Sequence, residues 1–420
     1  LVIAHTVIGC GSPGKQGTHH AHGSPLGPEE CEATKKALGI SEEDFYIPQA
    51  VQSFFDMRKE QCEKLHSKWQ ETFNRWRSAH PELYEVFKKM EARKLPEGLE
   101  EKIHKVEIKN PIAGRSAAQE VLQLLAEELP YLYGGSADLS GSDCTMLKKY
   151  PLIEPKHFIG RNIKYGIREF GMATMASGLW LTGMIQPYIG TFLTFSDYMR
   201  NAIRLAALSR FHVIYQFTHD SIFLGEDGPT HQPVEHYAAL RAIPYLHVFR
   251  PADSHEIKGA WLEALKYAGP TALIFTRQKL PLLAESQKIP FSEGVARGAY
   301  ILKKEPRPCD FVLMATGSEV SLAMDVAKEL EKRDKSVRVV SMPCWELFDK
   351  QPQEYKDEVL GGDLGQRVSI EAGVSLGWHK WIGMEGIAIC METFGASAPA
   401  GDLAQEFGFT VDAILERLLA

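Results

Sequence analysis

From about residue 112 onward, short apolar runs alternate with helix-forming stretches, and this alternation limits the fold more than any other feature of the 420-residue chain. Helices are expected over 114–128, 168–183, 195–209, 231–241 and 253–268. Strands are expected between them, over 130–133, 186–190, 212–218, 246–249 and 271–276. Alternation at this spacing gives a mainly parallel sheet with helices on both faces, and such folds display ligands in the loops at the carboxyl ends of the strands. After a proline- and charge-rich stretch, 280–291, the pattern restarts with strand 310–316, helix 318–333 and strand 336–341. A strand near 367–370, an apolar segment near 386–390 and a helix over 411–419 follow. The expected fold class is therefore α/β, with two doubly wound, mostly parallel sheet domains, the second one smaller. No internal repeat is visible.

Upstream the texture differs. LVIAHTVIG reads as a buried strand, followed by the glycine- and histidine-rich loop GCGSPGKQGTHHAHG, so residues 1–25 look like the end of an α/β domain. A chain that opens in mid-strand predicts that an amino-terminal domain is missing. Residues 41–105 are polar and helical around Phe54, Phe55, Trp69, Phe73 and Trp76. They read as surface helices ending in an exposed linker, LPEGLEEKIHKVEIKNP, a solvated connector without chemistry. The expected division is 1–110, 111–290 and 291–420.

Composition excludes some function classes. A formal net charge of −7 argues against an electrostatic nucleic-acid binder, although one local basic cleft is compatible with it. Seven scattered cysteines without a CxxC pair read as reduced thiols of an intracellular protein. The apolar run 172–181 is interrupted by small polar residues and is too short to span a bilayer. With neither a signal peptide nor a peroxisomal tail legible, a cytoplasmic location is expected.

The densest chemistry follows strand 212–218, in His219-Asp-Ser-Ile-Phe-Leu-Gly-Glu-Asp-Gly-Pro-Thr-His231-Gln-Pro. Its glycines permit close backbone approach, and its histidines can serve hydroxyls or phosphate oxygens near neutral pH. A capped turn into a helix is the plain alternative, and composition alone leaves the two about even. In YGIREFGMA, Glu169 opens a helix whose following turns are almost wholly apolar. That pushes a carboxylate toward a low-dielectric setting, as proton exchange with a bound base requires. Taken alone, a helix-start acid or a pair with Arg168 is the commoner reading. Phe192, Phe195 and Tyr198 fall on one side of a helix, more often core than ring-binding wall. Arg277 stands just past strand 271–276, where its planar fork suits a phosphate, though surface ion pairing is the ordinary fate of a lone arginine. His19, His20 and His22 lack an acid or cysteine at ligand spacing, and no metal ligand is assigned to them.

Taken together and in order, GSPGKQGTHHAHGSPLG, GRSAAQ, GGSADLSGSD, YGIREFGM, TFLTFSDYMRNAIRLAAL, THDSIFLGEDGPTHQPVEH, FRPAD, TRQ, ATGSEV and FGASAPA resemble the transketolase family along the whole chain. The resemblance implies thiamine diphosphate and Mg2+ as cofactors and sugar phosphates as substrates. It makes 111–290 the pyrimidine-binding domain and 291–420 the C-terminal domain. It also implies a homodimer with active sites at the subunit interface and helices 168–183 and 195–209 facing the twin.

By matching motifs, Glu169 resembles the glutamate that hydrogen-bonds the cofactor's aminopyrimidine. Phe192, Phe195 and Tyr198 resemble the aromatic pocket around that ring, which reverses the core reading, and Asp138 resembles another residue near the cofactor. His22, His219, Asp227 and His231 resemble residues that bind the sugar's hydroxyls or relay its protons, with His22 also near the cofactor. Arg115, Ser142, His219 and Arg277 resemble the clamp on a terminal phosphate. The family's GDG…N motif for magnesium and diphosphate is absent, so those ligands are expected in the missing amino-terminal region.

The implied reaction is two-carbon ketol transfer from a ketose phosphate of the xylulose 5-phosphate type to an aldose phosphate, in the pentose phosphate pathway. Two other readings stand beside it: a non-catalytic truncated fragment that keeps the dimer, and the β subunit of a 2-oxoacid dehydrogenase. The sugar-phosphate set Arg115, Ser142, His231 and Arg277 favours transketolase over the β subunit. Dihydroxyacetone synthase, a near relative, stays open.

Overall fold

A computed structural model describes residues 2–362 and 365–420. They form two compact units, residues 1–84 and 85–420, with Leu1 outside the described part.

The first unit has no strand among its described residues. The segment expected as a buried strand is exposed coil running into turns, with Val2 and Ile3 open to solvent. Strand pairing needs a neighbouring edge, and an apolar run alone does not supply one. The helices Pro28–Leu38 and Gln49–Ala79 follow. Along the second of these Trp69, Phe73 and Trp76 stack in sequence, with ring centroids 5.2 and 5.6 Å apart.

In the second unit thirteen strands are described. They are β1 Ile112–Ala113, β2 Leu132–Ser136, β3 Asn162–Lys164, β4 Gln186–Phe192, β5 Ile214–Thr218, β6 His247–Phe249, β7 Thr271–Phe275, β8 Lys279–Leu280, β9 Tyr300–Lys303, β10 Phe311–Ala315, β11 Val337–Ser341, β12 Gln366–Ile370 and β13 Ile387–Ile389. Six of them make one wholly parallel sheet in the order β3-β2-β4-β5-β7-β6. Five make a second sheet, β13-β12-β10-β11-β9, in which only β9 runs antiparallel. Strands β1 and β8 form a two-stranded clip.

Helices cover both faces of the six-stranded sheet. Gly114–Glu128 and Ser254–Lys266 pack on one side around Leu122, Leu125 and Trp261. On the other side Glu169–Leu181, Arg200–Ser209 and His236–Arg241 bury Met172, Ile203 and Leu240. The same arrangement recurs around the smaller sheet, and the doubly wound reading holds for both.

Three expectations change here. The stretch expected as an exposed linker contains the helix Leu99–His104, and Leu99 and Ile103, one turn apart, are buried against the first core face. The helix expected over 195–209 begins as a 3-10 segment, Leu193–Met199, and becomes α-helical only at Arg200–Ser209. Likewise the helix expected from 231 starts at His236, and residues 219–235 before it hold only the 3-10 turn Ile222–Leu224.

Between the two sheets lies a buried ion network. The Arg250 guanidinium, fully buried, reaches Asp220 at 2.8 Å, the carbonyl and hydroxyl of Thr316, and Glu319. Arg241 makes a two-pronged pair with Glu371, 2.8 and 2.9 Å, and Glu371 also accepts from Thr316 and from the Trp378 indole. Burial pushes the Glu371 carboxyl up, but Arg241, Arg250 and Thr316 outweigh it and hold it below its ordinary value. Gly317, in the left-handed region at φ +54°, makes room for this: a Cβ there would lie 2.7 Å from the Arg250 guanidinium carbon. Among the described residues no helix is long and apolar enough to cross a membrane.

Candidate functional site

The carboxyl ends of β2, β3, β4 and β5 open on one cleft of about 560 Å3, lined by Ala137, Asp138, Leu139, Ile167, Glu169, Phe192, Phe195, Tyr198 and His231. Strand order explains its place. The chain leaves β2 to β3 on one side and returns to β4 on the other, and ligand crevices form where the order reverses. Glycine keeps the central strands close: a Cβ on Gly135 of β2 would sit 1.9 Å from the Ile163 carbonyl oxygen.

Glu169 is the first residue of its helix and is 9% exposed. Among the described residues nothing hydrogen-bonds or ion-pairs with its carboxylate, and the pair with Arg168 does not form. A carboxylate at the border of a cleft without a protein partner is set to meet a ligand. Facing it, the Phe192 and Phe195 rings stack at 5.7 Å with planes 11° apart, and Tyr198 continues the wall at 6.1 Å. Phe192 is buried, whereas Tyr198 is 67% exposed, so the stripe is a wall rather than core. His231 sits edge-on to Phe195, 5.6 Å between centroids, and its Nδ1 lies 3.0 Å from the Thr230 hydroxyl.

On the other side of Phe192 lies a cationic group of residues. The His219 ring packs 3.6 Å from the Phe192 ring, with φ +58°, Nδ1 2.9 Å from the Thr218 hydroxyl and Nε2 3.4 Å from Arg115. Arg115 donates to the Ser142 carbonyl at 2.7 Å. The β1–β8 clip and the Arg115 amide, which donates to the Thr276 carbonyl, bring the start of helix Gly114–Glu128 beside Arg277. Burial, joined by the charges of Arg115, Arg277 and His231, lowers the His219 imidazole to about 3, so it stays neutral. Arg277 is exposed and pairs with no described acid. Two guanidinium groups beside a neutral imidazole can take an anion and still offer a hydrogen-bonding ring.

The structure thus brings together Asp138, Glu169, Phe192, Phe195, Tyr198 and His231, with Arg115, Ser142, His219 and Arg277 adjoining. Asp227 does not join them; it stays exposed on the turn 225–228 and does not line the cleft. His22 belongs to the first unit, exposed at the end of a 3-10 turn His19–Ala21.

Supporting residues escaped the sequence reading. Asp143 is wholly buried, accepts from Ser136 and Thr145, and is raised by burial against those bonds. Gln232 holds the His219–His231 loop by donating to the Gly225 and Ala396 carbonyls, both at 2.9 Å. Ala396 lies in the FGASAPA segment, which straps the loop in this way. The signal was the motif itself, lying far from the loop in sequence and close in the fold.

Three domain families match the chain: the thiamine diphosphate binding domain of transketolase over residues 1–96, its pyrimidine binding domain over 110–282, and the transketolase-like C-terminal domain over 298–410. A transketolase of Geobacillus stearothermophilus is 44% identical over 425 aligned residues, covering 100% of this chain and 63% of that protein. The chain belongs to the transketolase family. Among solved structures, the transketolase from Leishmania mexicana is similar with a TM-score of 0.89 and 40% identity, over 98% of this chain and 60% of that one. A Pichia stipitis transketolase in complex with sedoheptulose 7-phosphate gives a TM-score of 0.88 and 36% identity, over 98% and 61%.

The match over 1–96 overturns an expectation. Residues 1–96 match the family's diphosphate-binding domain, so that region is not absent from the chain, and the helix Gln49–Ala79 falls inside the match and is not a mere connector. That expectation rested on the mid-strand opening and on the absent GDG…N motif, and neither marks how far the domain's helical part extends.

Proposed function

We propose that the cleft binds the pyrimidine half of thiamine diphosphate and that the protein transfers a two-carbon ketol unit from a ketose phosphate of the xylulose 5-phosphate type to an aldose phosphate. The single observation that carries this is Glu169, buried and unpartnered in a cleft walled by the Phe192–Phe195 stack. That donor set fits an aminopyrimidine: a flat ring beside the stacked phenylalanines, with a carboxyl group to hydrogen-bond a ring nitrogen.

When bound, thiamine diphosphate supplies a nucleophilic carbon that can take up and release a two-carbon unit. Glu169 holds and exchanges the proton at the pyrimidine. Phe192, Phe195 and Tyr198 exclude water and orient the ring, with Asp138 at the cleft's edge. His231 and neutral His219 hydrogen-bond the sugar's hydroxyls, and His231 moves a proton at the reacting oxygen. Arg115, Arg277 and the Ser142 segment hold the terminal phosphate. Roles for His22 and Asp227 on the sugar, and for Mg2+ with the diphosphate, rest on family resemblance alone.

The proposed domain borders are 1–110, 111–290 and 291–420. The protein works as a cytoplasmic homodimer with its active sites at the subunit interface. Supporting the dimer, Ile167, Phe170, Met175 and Leu181 and then Leu205 and Leu208 are exposed on and around the helices Glu169–Leu181 and Arg200–Ser209.

The test is transfer from xylulose 5-phosphate to ribose 5-phosphate by the full-length protein with thiamine diphosphate and Mg2+, followed by product chromatography. Formation of sedoheptulose 7-phosphate is expected. A folded, cofactor-loaded protein that transfers nothing from any ketose phosphate would refute the reading.

A further inference from the structure

Asp197, Glu235 and His236 converge beside the aromatic wall without belonging to it. Asp197 lies in the 3-10 segment Leu193–Met199, between Phe195 and Tyr198, while Glu235 and His236 begin the helix His236–Arg241. The imidazole is 5% exposed, and neither ring nitrogen has a hydrogen-bond partner. Yet Nε2 lies 3.3 Å from Asp197 Oδ2 and Nδ1 lies 3.8 Å from Glu235 Oε2, and one ligand atom from each residue falls within 4.8 Å of the other two.

An imidazole buried with both nitrogens idle is costly, so something is expected to satisfy it. One ion takes one imidazole nitrogen, and with a single ligand atom from each residue the three still lie within 4.8 Å of one another. Zinc bonds of about 2.0–2.1 Å in a tetrahedron put neighbouring ligand atoms roughly 3.3 Å apart. The Nε2–Oδ2 separation already has that value, and Glu235, half exposed and now nearer Nδ1, must turn toward Nε2 to close the third edge. Both carboxylate side chains are more than half exposed, which leaves an entry path and an open position for water. An imidazole with two carboxylates selects a borderline cation, whereas Mg2+ and Ca2+ favour sets made wholly of oxygen.

We propose that Asp197, Glu235 and His236 form a binding site for a divalent cation of the zinc type, independent of the ketol-transfer reading. The bound ion ties the segment carrying Phe195 and Tyr198 to the helix His236–Arg241, so its effect is to stiffen one side of the cleft.

The test is calorimetric titration of the full-length protein with Zn2+ in excess Mg2+, after alkylation of the cysteines, of which Cys10, Cys31 and Cys62 are exposed. The unaltered protein should bind one equivalent and unfold at higher temperature with Zn2+. His236→Gln and Asp197→Asn should weaken that equivalent by at least the roughly 10–100-fold that losing a mere outer partner costs. Asp197 is exposed, so Asp197→Asn serves even if the histidine variant fails to fold. No binding by the unaltered protein, or equal binding by protein and variants, overturns the site and leaves an ordinary histidine–carboxylate pair.

Discussion

The two parallel sheets of the second unit use their carboxyl ends in opposite ways. At the ends of β2, β3, β4 and β5 the strands open on a cleft with stacked rings and a carboxylate that pairs with no described residue, and Arg277 after β7 adjoins it. In the smaller sheet the corresponding crevice lies between β10 and β12, where the order reverses, and it is shut. Thr316 and Glu319 after β10, and Glu371 after β12, are taken up by Arg250 and Arg241 from the neighbouring domain. Even adjacent residues divide this way: His219 packs on the cleft's Phe192, and Asp220 pairs with Arg250. A strand-end crevice is a place where polar groups gather, and what fills them decides whether it is a site or a joint. Variants of the open end should lose activity and keep stability; those of the closed end should do the reverse.

The largest effect is expected at Glu169. Glu169→Gln keeps the shape but cannot exchange a proton, so ketol transfer should fall by roughly 10²–10⁴-fold. Because no described residue pairs with this carboxylate, urea unfolding should show stability unchanged or slightly raised. A loss of stability equal to the loss of activity would erase the contrast between the two ends.

Arg250→Met probes the closed end. It leaves Asp220 and Glu319 buried without their cation, which should cost about 3–5 kcal/mol in urea unfolding. A cost below about 1 kcal/mol would mean that the crevice is shut by packing rather than by charge.

Acid should reveal a third distinction, at the amino ends of the strands of the six-stranded sheet. His212, at the entry to β5, bonds the Ala264 carbonyl through Nε2 at 2.7 Å, and burial lowers its imidazole to about 4. Its folded value lies below the ordinary 6.5, so the unfolded chain binds the extra proton first. Stability is therefore full above pH 6.5 and falls as the pH drops toward 4, by roughly 3 kcal/mol. His212→Gln should flatten that part of the stability profile relative to the unaltered protein. An unchanged slope between pH 6.5 and 4 would assign the acid sensitivity elsewhere, His247 being lowered to about 3 as well.

Much of this contrast was legible in the sequence, and the reasons differ by region. Helix 114–128 and strands β4, β5, β6, β7, β10 and β11 followed from the strand–helix alternation, because packing on both faces of a sheet forces it, whereas β8 and β9 were not expected. Loop placement singled out the segment that ends at His231, but for Glu169, Phe192 and Phe195 the plain reading was a helix-start acid and core packing, and only the family resemblance put them at a site. The joint was not legible. Arg250 and Glu319 sit in FRPAD and ATGSEV, and no spacing rule joins arginine after β6 to acid after β10. Short elements such as β3 and Leu99–His104 escaped because three to six residues carry too little periodicity. The opening strand failed because pairing partners, not apolar residues, make a strand.

The smallest effect expected is also the most discriminating for the open end. Arg277 is exposed and pairs with no described acid, so Arg277→Ala should leave unfolding unaltered. If it holds the terminal phosphate, its loss should cost roughly 1.5–3 kcal/mol of phosphate binding. That corresponds to a KM for xylulose 5-phosphate raised by about 10–150-fold, with KM for hydroxypyruvate, which carries no phosphate, nearly unchanged. An equal loss with both donors would point to another route, because Arg277 is one of the charges that keep His219 neutral. Burial is the larger cause there, and it remains in the variant, so His219 should stay neutral near pH 7 and the hydroxypyruvate rate should keep its pH profile. A hydroxypyruvate profile that gains an ionisation between pH 5 and 7 would show that Arg277 acts through His219, and the open end would then be held by charge after all.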